Sequence, residues 1–115
     1  MENIIFRGKT ETGEWVYGGI NDTGTAIVKQ FQFIPVDPQS VGMFTGFRDS
    51  AGNMVYEGDI IHNKFDMLNN SNETVFWNSF TGAFNIKRIN QPYTDFLDKK
   101  YIEENMEVVG SETDV

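Results

Sequence analysis

One short pattern recurs four times along this chain, and it constrains the fold more than any other feature. A small polar residue is followed by two others and then by glycine, in Thr10-Glu-Thr-Gly13, Asn21-Asp-Thr-Gly24, Asp49-Ser-Ala-Gly52 and Ser79-Phe-Thr-Gly82. The polar side chain at the start accepts hydrogen bonds from backbone amides inside a tight loop. The glycine then takes the left-handed conformation that brings the two arms back together. Loops this short cannot cross over a sheet, so each one joins antiparallel neighbours. A chain punctuated in this way folds as a series of β-hairpins.

The flanks agree. Asn3–Gly8, Glu14–Ile20 and Thr25–Ile34 surround the first two turns and predict a three-stranded meander, with Trp15 and Tyr17 alternating against Val16. Gly42–Phe47 and Asn53–Tyr56 surround the third turn, and Thr74–Trp77 and Ala83–Ile89 the fourth. Gly58–Ile61 reads as a turn feeding a further strand, and Met106–Gly110 as a last one. Pro35-Val-Asp-Pro38 forces extended backbone and links the meander to the hairpin around Asp49–Gly52. Residues 63–72 read as an exposed loop. After Pro92, the residues Tyr93, Phe96, Leu97 and Tyr101 recur at helical spacing and predict one short amphipathic helix.

Aromatic residues make up 14% of the 115, with ten Phe, four Tyr and two Trp, which predicts a β-rich class with an aromatic core. The expected fold is mainly β, antiparallel hairpins forming a small barrel-like domain with one short C-terminal helix. A single domain over residues 1–115 is expected, with a subdivision near 35–41 as the alternative.

The chemistry inventory excludes more than it supports. There is no Cys, which removes disulfides, thiolate zinc sites and thiol nucleophiles. His62 is the single His, so no Ser-His-Asp arrangement has a second candidate base and no zinc site has enough ligands. No phosphate-cradling loop or dinucleotide fingerprint occurs. Glu57 and Asp59 are two apart around Gly58, a spacing that suits either acid–base chemistry or a turn whose Asp side chain bonds the backbone; the turn is the stronger reading. No catalytic residue, metal ligand or cofactor is expected.

The net charge is −8. From Glu103 onward the chain carries Glu103, Glu104, Glu107, Glu112 and Asp114 and no Lys or Arg, which reads as a solvated, partly frayed tail. The charge also disfavours nucleic acid as a ligand, although Trp15, Tyr17, Phe44, Phe47, Tyr56, Phe76 and Trp77 are available to stack bases. Trp15, Tyr17, Phe47, His62 and Trp77 are the candidate binding surface. No apolar run reaches signal-peptide or membrane-spanning length, so a cytoplasmic protein with no membrane contact is expected.

Within Gly42–Ile61 the residues Thr45-Gly46-Phe47-Arg48-Asp49, Gly52 and Tyr56-Glu57-Gly58-Asp59-Ile60-Ile61 resemble the signature of the YopX family of phage and prophage proteins, T-G-L-K-D, a turn Gly and Y-E-G-D-I-V. Phe6-Arg7-Gly8-Lys9, Gly13–Gly18, Val41–Phe44 and Glu107–Gly110 are similar to the family as well, so the resemblance runs nearly end to end. The chain departs from the pattern at Phe47, where Leu is usual, and in its last residues, Ser111–Val115. The resemblance implies a mainly β domain with no established enzymatic activity, and a phage or prophage protein acting in the bacterial cytoplasm. It carries over no catalytic residue: Thr45, Gly46, Asp49, Gly52, Tyr56, Glu57, Gly58 and Asp59 are read as structural. A non-enzymatic protein that binds a host or phage protein is the leading expectation. A nucleic-acid-binding barrel and a small-ligand binder or enzyme are the alternatives, and homo-oligomerisation is compatible with all three.

Overall fold

The four predicted turns order the chain. In the computed structural model, which describes residues 5–65, 72–88, 94–96 and 98–112, three of them close as written. The amide of Gly13 donates to Thr10 O, that of Gly24 to Asn21 O and that of Gly52 to Asp49 O, at 2.9, 3.2 and 3.0 Å. The fourth is one residue longer, because Gly82 N donates to Asn78 O and the Asn78 side chain accepts from Phe80 N. Asn78, not Ser79, starts that turn.

The chain divides into two compact units, Met1–Phe44 and Thr45–Val115. In the first, β1 (Phe6–Lys9), β2 (Trp15–Ile20), β3 (Ala26–Lys29) and β4 (Gln32–Pro35) form an antiparallel meander, and β5 (Gly42–Arg48) adds its first half to β1. Arg7 faces Tyr17 and Lys9 faces Trp15 across β1 and β2, while Phe6 faces Met43 on β5. A 3-10 turn, Pro38–Ser40, precedes β5; Asp37 caps it by accepting from Gln39 N.

The expected single strand over Thr25–Ile34 is two strands. Gln30 and Phe31 have φ of 51° and 65°, and Lys29 pairs directly with Gln32, so a two-residue turn reverses the chain between β3 and β4. Both central residues being left-handed is the type I′ geometry that normally selects Asn-Gly. Neither residue here signals it, which is why the sequence reads through.

Pairing in such a hairpin alternates, so Gln32 and Ile34 bond inward to β3 and Phe33 and Pro35 face the open edge. Pro35 has no N–H to offer there, which blunts the edge against strand pairing. Behind it, Val36 packs so close to Gly8 that a Cβ on Gly8 would lie 2.8 Å from Val36 Cγ2.

In the second unit, the latter half of β5 pairs with β6 (Met54–Tyr56). A five-stranded sheet runs in the order β10-β9-β8-β7-β11, from β10 (Thr94–Phe96), β9 (Ala83–Arg88), β8 (Glu73–Asn78), β7 (Asp59–Asn63) and β11 (Met106–Ser111). The helix, α1, spans Lys99–Asn105. Asp98 caps it by accepting from Lys100 N and Tyr101 N, and Ile102 is its buried residue. The apolar spacing predicted an earlier start, yet Thr94–Phe96 is strand, paired with Asn85–Lys87; Pro92, Tyr93 and Leu97 lie outside the described residues, as does most of the loop expected over 63–72. The mainly β class with antiparallel hairpins and one short helix therefore stands. Among the described residues the sheets are open-edged, with no closed barrel.

The core is aliphatic, against the expected aromatic one. Val55, Ile61, Val75, Ile86, Ile102 and Met106 form the buried cluster of the second unit, with Phe47, Phe84 and Val108 packed partly against it. Ala26, Ile27 and Val36 are the buried apolar residues of the first. Tyr56 is the one aromatic side chain buried among the described residues, and Tyr17, Phe31, Phe33, Phe65, Trp77, Phe80 and Tyr101 are exposed. β-branched residues fill flat inter-strand space efficiently, which leaves rings for faces, edges and tips. The acidic run is also more ordered than a frayed tail, since Glu103 and Glu104 belong to α1 and Glu107 to β11, while Asp114 lies outside the described residues.

Candidate functional site

Asp49 opens the third turn and is only 3% exposed. Its Oδ1 accepts from Ala51 N at 3.0 Å and Asn53 N at 2.8 Å, the local pattern the turn chemistry dictates. Its Oδ2 accepts from Asn53 Nδ2 at 3.2 Å and from Val108 N on β11 at 2.9 Å. Beside it, Ser50 N donates to Met106 O at 2.9 Å. The tip of the β5–β6 hairpin is therefore fastened to the strand that comes last in the sheet order. Burial of the carboxylate works to raise its pKa, but the hydrogen bonds from Val108, Asn53 and Ala51 outweigh that effect and hold it below its ordinary value.

The second half of the signature grips the other end of the same strand. Gly58, with φ of 92°, donates its amide to Val75 O at 2.8 Å and accepts at its carbonyl from Glu112 N at 2.9 Å. Asp59, buried, pairs across with Ser111 and takes the Tyr56 amide on Oδ2 at 2.7 Å. Thr45 stabilises the approach: its hydroxyl donates to Val55 O at 2.8 Å and accepts from Phe47 N at 3.2 Å, around Gly46 at φ 88°. Thr45, Gly46, Asp49, Gly52, Tyr56, Gly58 and Asp59 thus form two clasps, one at each end of β11. Between them Val109 is squeezed out of register by a bulge and is exposed. Glu57 occupies the turn between β6 and β7, half-buried, in none of these bonds.

The residues read as a binding surface divide between the units. Trp15 and Tyr17 belong to the first, and Phe47, His62 and Trp77 to the second. The Arg7 guanidinium lies 4.1 Å from the centre of the Trp15 ring and the Lys9 ammonium 5.0 Å from it, so both cations nearest that ring are engaged by it. Phe47 packs partly on the core, and Trp77 meets Phe84 edge to face at 5.1 Å between centroids. His62 faces Glu107 across the sheet, and its Nδ1 lies 2.9 Å from Asn72 Oδ1. Among the described residues no cluster of three metal-ligating side chains occurs, and no helix is long and apolar enough to cross a membrane.

The family model described as YopX protein matches residues 2–112. The chain belongs to the YopX family. No curated protein matches it.

With the exception of Glu57, the YopX signature residues of this chain therefore build the two clasps that hold β11. A carboxylate that accepts four hydrogen bonds, as Asp49 does, has no lone pair left for proton transfer. Two features of this YopX chain escape sequence reasoning. Phe31 and Phe80 stand at hairpin tips with their rings in water, at 101% and 99% exposure. A groove of about 540 Å³ is lined by Thr10, Glu11, Ile34, Pro35, Val36 and Asp37. For the tips, a bulky residue inside a four-residue loop is the available signal at Phe80, whereas at Phe31 the turn itself is invisible. The groove is assembled from the first turn and the proline link, residues that no motif connects.

Proposed function

We propose that this chain is a phage- or prophage-encoded, non-enzymatic interaction protein that acts in the bacterial cytoplasm by binding a host or phage protein. The observation that carries this reading is the placing of its aromatic residues. Large rings stand in solvent at Phe31, Phe33, Trp77 and Phe80, while smaller aliphatic side chains fill the core. Rigid aromatic side chains projecting from a β scaffold are the usual energetic centres of protein interfaces, because they bury much area at little cost in side-chain entropy. Membership of the YopX family supports the phage or prophage assignment, since the signature at Thr45–Ile61 resembles that of phage and prophage proteins.

The alternatives draw less support. Nucleic-acid stacking on Trp15 would have to compete with Arg7 and Lys9, already over that ring. Acid–base chemistry at Asp49 or Asp59 would compete with the backbone amides those carboxylates accept from. The test is affinity capture from host lysate with the intact chain and with Phe31→Ala and Phe80→Ala variants that keep the wild-type melting profile. A protein retained by the wild type and lost from one variant supports the proposal. Identical recovery by all three, or retention of single-stranded nucleic acid alone at low salt, overturns it.

A further inference from the structure

The β3–β4 hairpin carries complementary features at its two ends, both within the first unit. At the tip, exposed Lys29 stands two residues from Phe31, whose ring is wholly in solvent on a left-handed backbone. A bulky residue in that conformation is an outlier that folding alone does not favour, since Asn-Gly closes the same turn without strain. At the base, Ile34, Pro35 and Val36 form the aliphatic part of the groove, and its two ionisable residues, Glu11 and Asp37, are both acidic. Asp37 uses Oδ1 to accept from Gln39 N, which leaves Oδ2 for a further partner. The tip offers a ring beside an ammonium, and the groove offers an apolar bed beside two carboxylates.

We infer that the occupant of the groove is a second copy of this chain, the Phe31 tip of one protomer lying on Ile34, Pro35 and Val36 of the next with Lys29 paired to Glu11 and Asp37. The four paired positions between tip and base span roughly 10 Å of rigid ladder, so a tip cannot turn back into its own groove. The contact is therefore head-to-tail, and the assembly is a ring if the rotation closes and an open chain if it does not. Self-association of this kind occupies Phe31, one of the rings of the proposed partner-binding surface, and leaves Phe33, Trp77 and Phe80 to a host or phage protein. It also differs from strand pairing at the β4 edge, which Pro35 obstructs.

Sedimentation velocity on the full chain, over a series from low micromolar to near-millimolar, tests it. The wild-type mass rises with concentration. Phe31→Gly weakens association by about thirtyfold, the loss of one aromatic anchor, while its melting temperature does not fall. Lys29→Glu and the double variant Glu11→Lys/Asp37→Lys each remain monomeric alone, yet assemble together when mixed, because the reversed tip meets the reversed groove and the native tip meets the native groove. A wild-type chain that stays monomeric throughout overturns the inference. So does association unchanged in Phe31→Gly, or a charge-reversed pair that fails to combine while both members keep the wild-type melting profile.

Discussion

The carboxylate of Asp49 accepts a hydrogen bond from the amide of Val108, 59 residues further along the chain, at 2.9 Å. This one contact turns a local hairpin signal into a long-range tie. Replacing Asp49 by Ala leaves the amides of Ala51, Asn53 and Val108 without their acceptor in a part-buried corner. The desolvation cost of those orphaned donors amounts to a loss of about 3 kcal/mol. Urea unfolding of the variant checks it, and an unchanged midpoint would show the tie to be energetically idle.

The same carboxylate gives the protein an acid limit. Its pKa is lower in the folded chain than in the unfolded one, so the unfolded state binds the proton more tightly. The stabilisation is complete above the unfolded value, about 4, and disappears as the pH falls through the folded value. Wild-type stability measured from neutral pH down into the acid range should drop, and the drop should be smaller in Asp49→Asn. Parallel curves for the two proteins would refute this.

Gly8 lies under Val36 with no room for a side chain, since a Cβ there would meet Val36 Cγ2 at 2.8 Å and Val36 Cβ at 2.9 Å. Gly8→Ala should cost about 2 kcal/mol, as overpacking does. Adding Val36→Ala should recover part of that loss, so the pair is non-additive. A double-mutant cycle by thermal unfolding checks the coupling, and simple additivity would show that the two positions do not press on each other.

The β3–β4 turn is the place where this chain is less stable than its fold allows. Two left-handed non-glycine residues cost about 1 kcal/mol or more each. Converting Gln30-Phe31 to Asn-Gly should raise the melting temperature by several degrees, measured by calorimetry. A lower melting temperature would mean that the exposed Phe31 ring stabilises the hairpin after all.

Asp98 stands at the start of a helix of seven residues and accepts from Lys100 N and Tyr101 N. Because helices this short depend on their caps and their packing, Asp98→Ala should cost about 1 kcal/mol. The helical band in circular dichroism should weaken before global unfolding; a single coincident transition in both proteins would contradict this.

What could be read from the sequence depends on the range of the interactions involved. Turns at Thr10–Gly13, Asn21–Gly24 and Asp49–Gly52 are legible because their chemistry is contained within four or five residues. The signature is legible as architecture for the same reason, since Gly58 and Asp59 act on their own turn. Its purpose is not, because Val108, Met106 and Glu112 are remote in sequence and contribute main-chain groups that no side chain advertises. The turn at Gln30 and Phe31 is hidden because its residues contradict its backbone. Helical spacing misleads at Thr94–Phe96, where pairing with β9 prevails over a short amphipathic pattern. The aromatic count gives the number of rings, and their distribution between core and surface is a property of the packed sheets.

The clasp on β11 also governs when the second unit becomes a folded object. β7 has β8 on one side and β11 on the other, and β11 pairs along the whole of β7 from Asn63↔Met106 to Asp59↔Ser111. During synthesis, Asp49 and Gly58 emerge well before the strand they hold. Until residues 106–111 leave the ribosome, one margin of β7 has no mate and the Asp49 carboxylate lacks its furthest donor. Folding of this half therefore waits for β11 and is slow for its size. A chain interrupted before Met106 would present an unmatched β7 margin to the cell's proteases and chaperones.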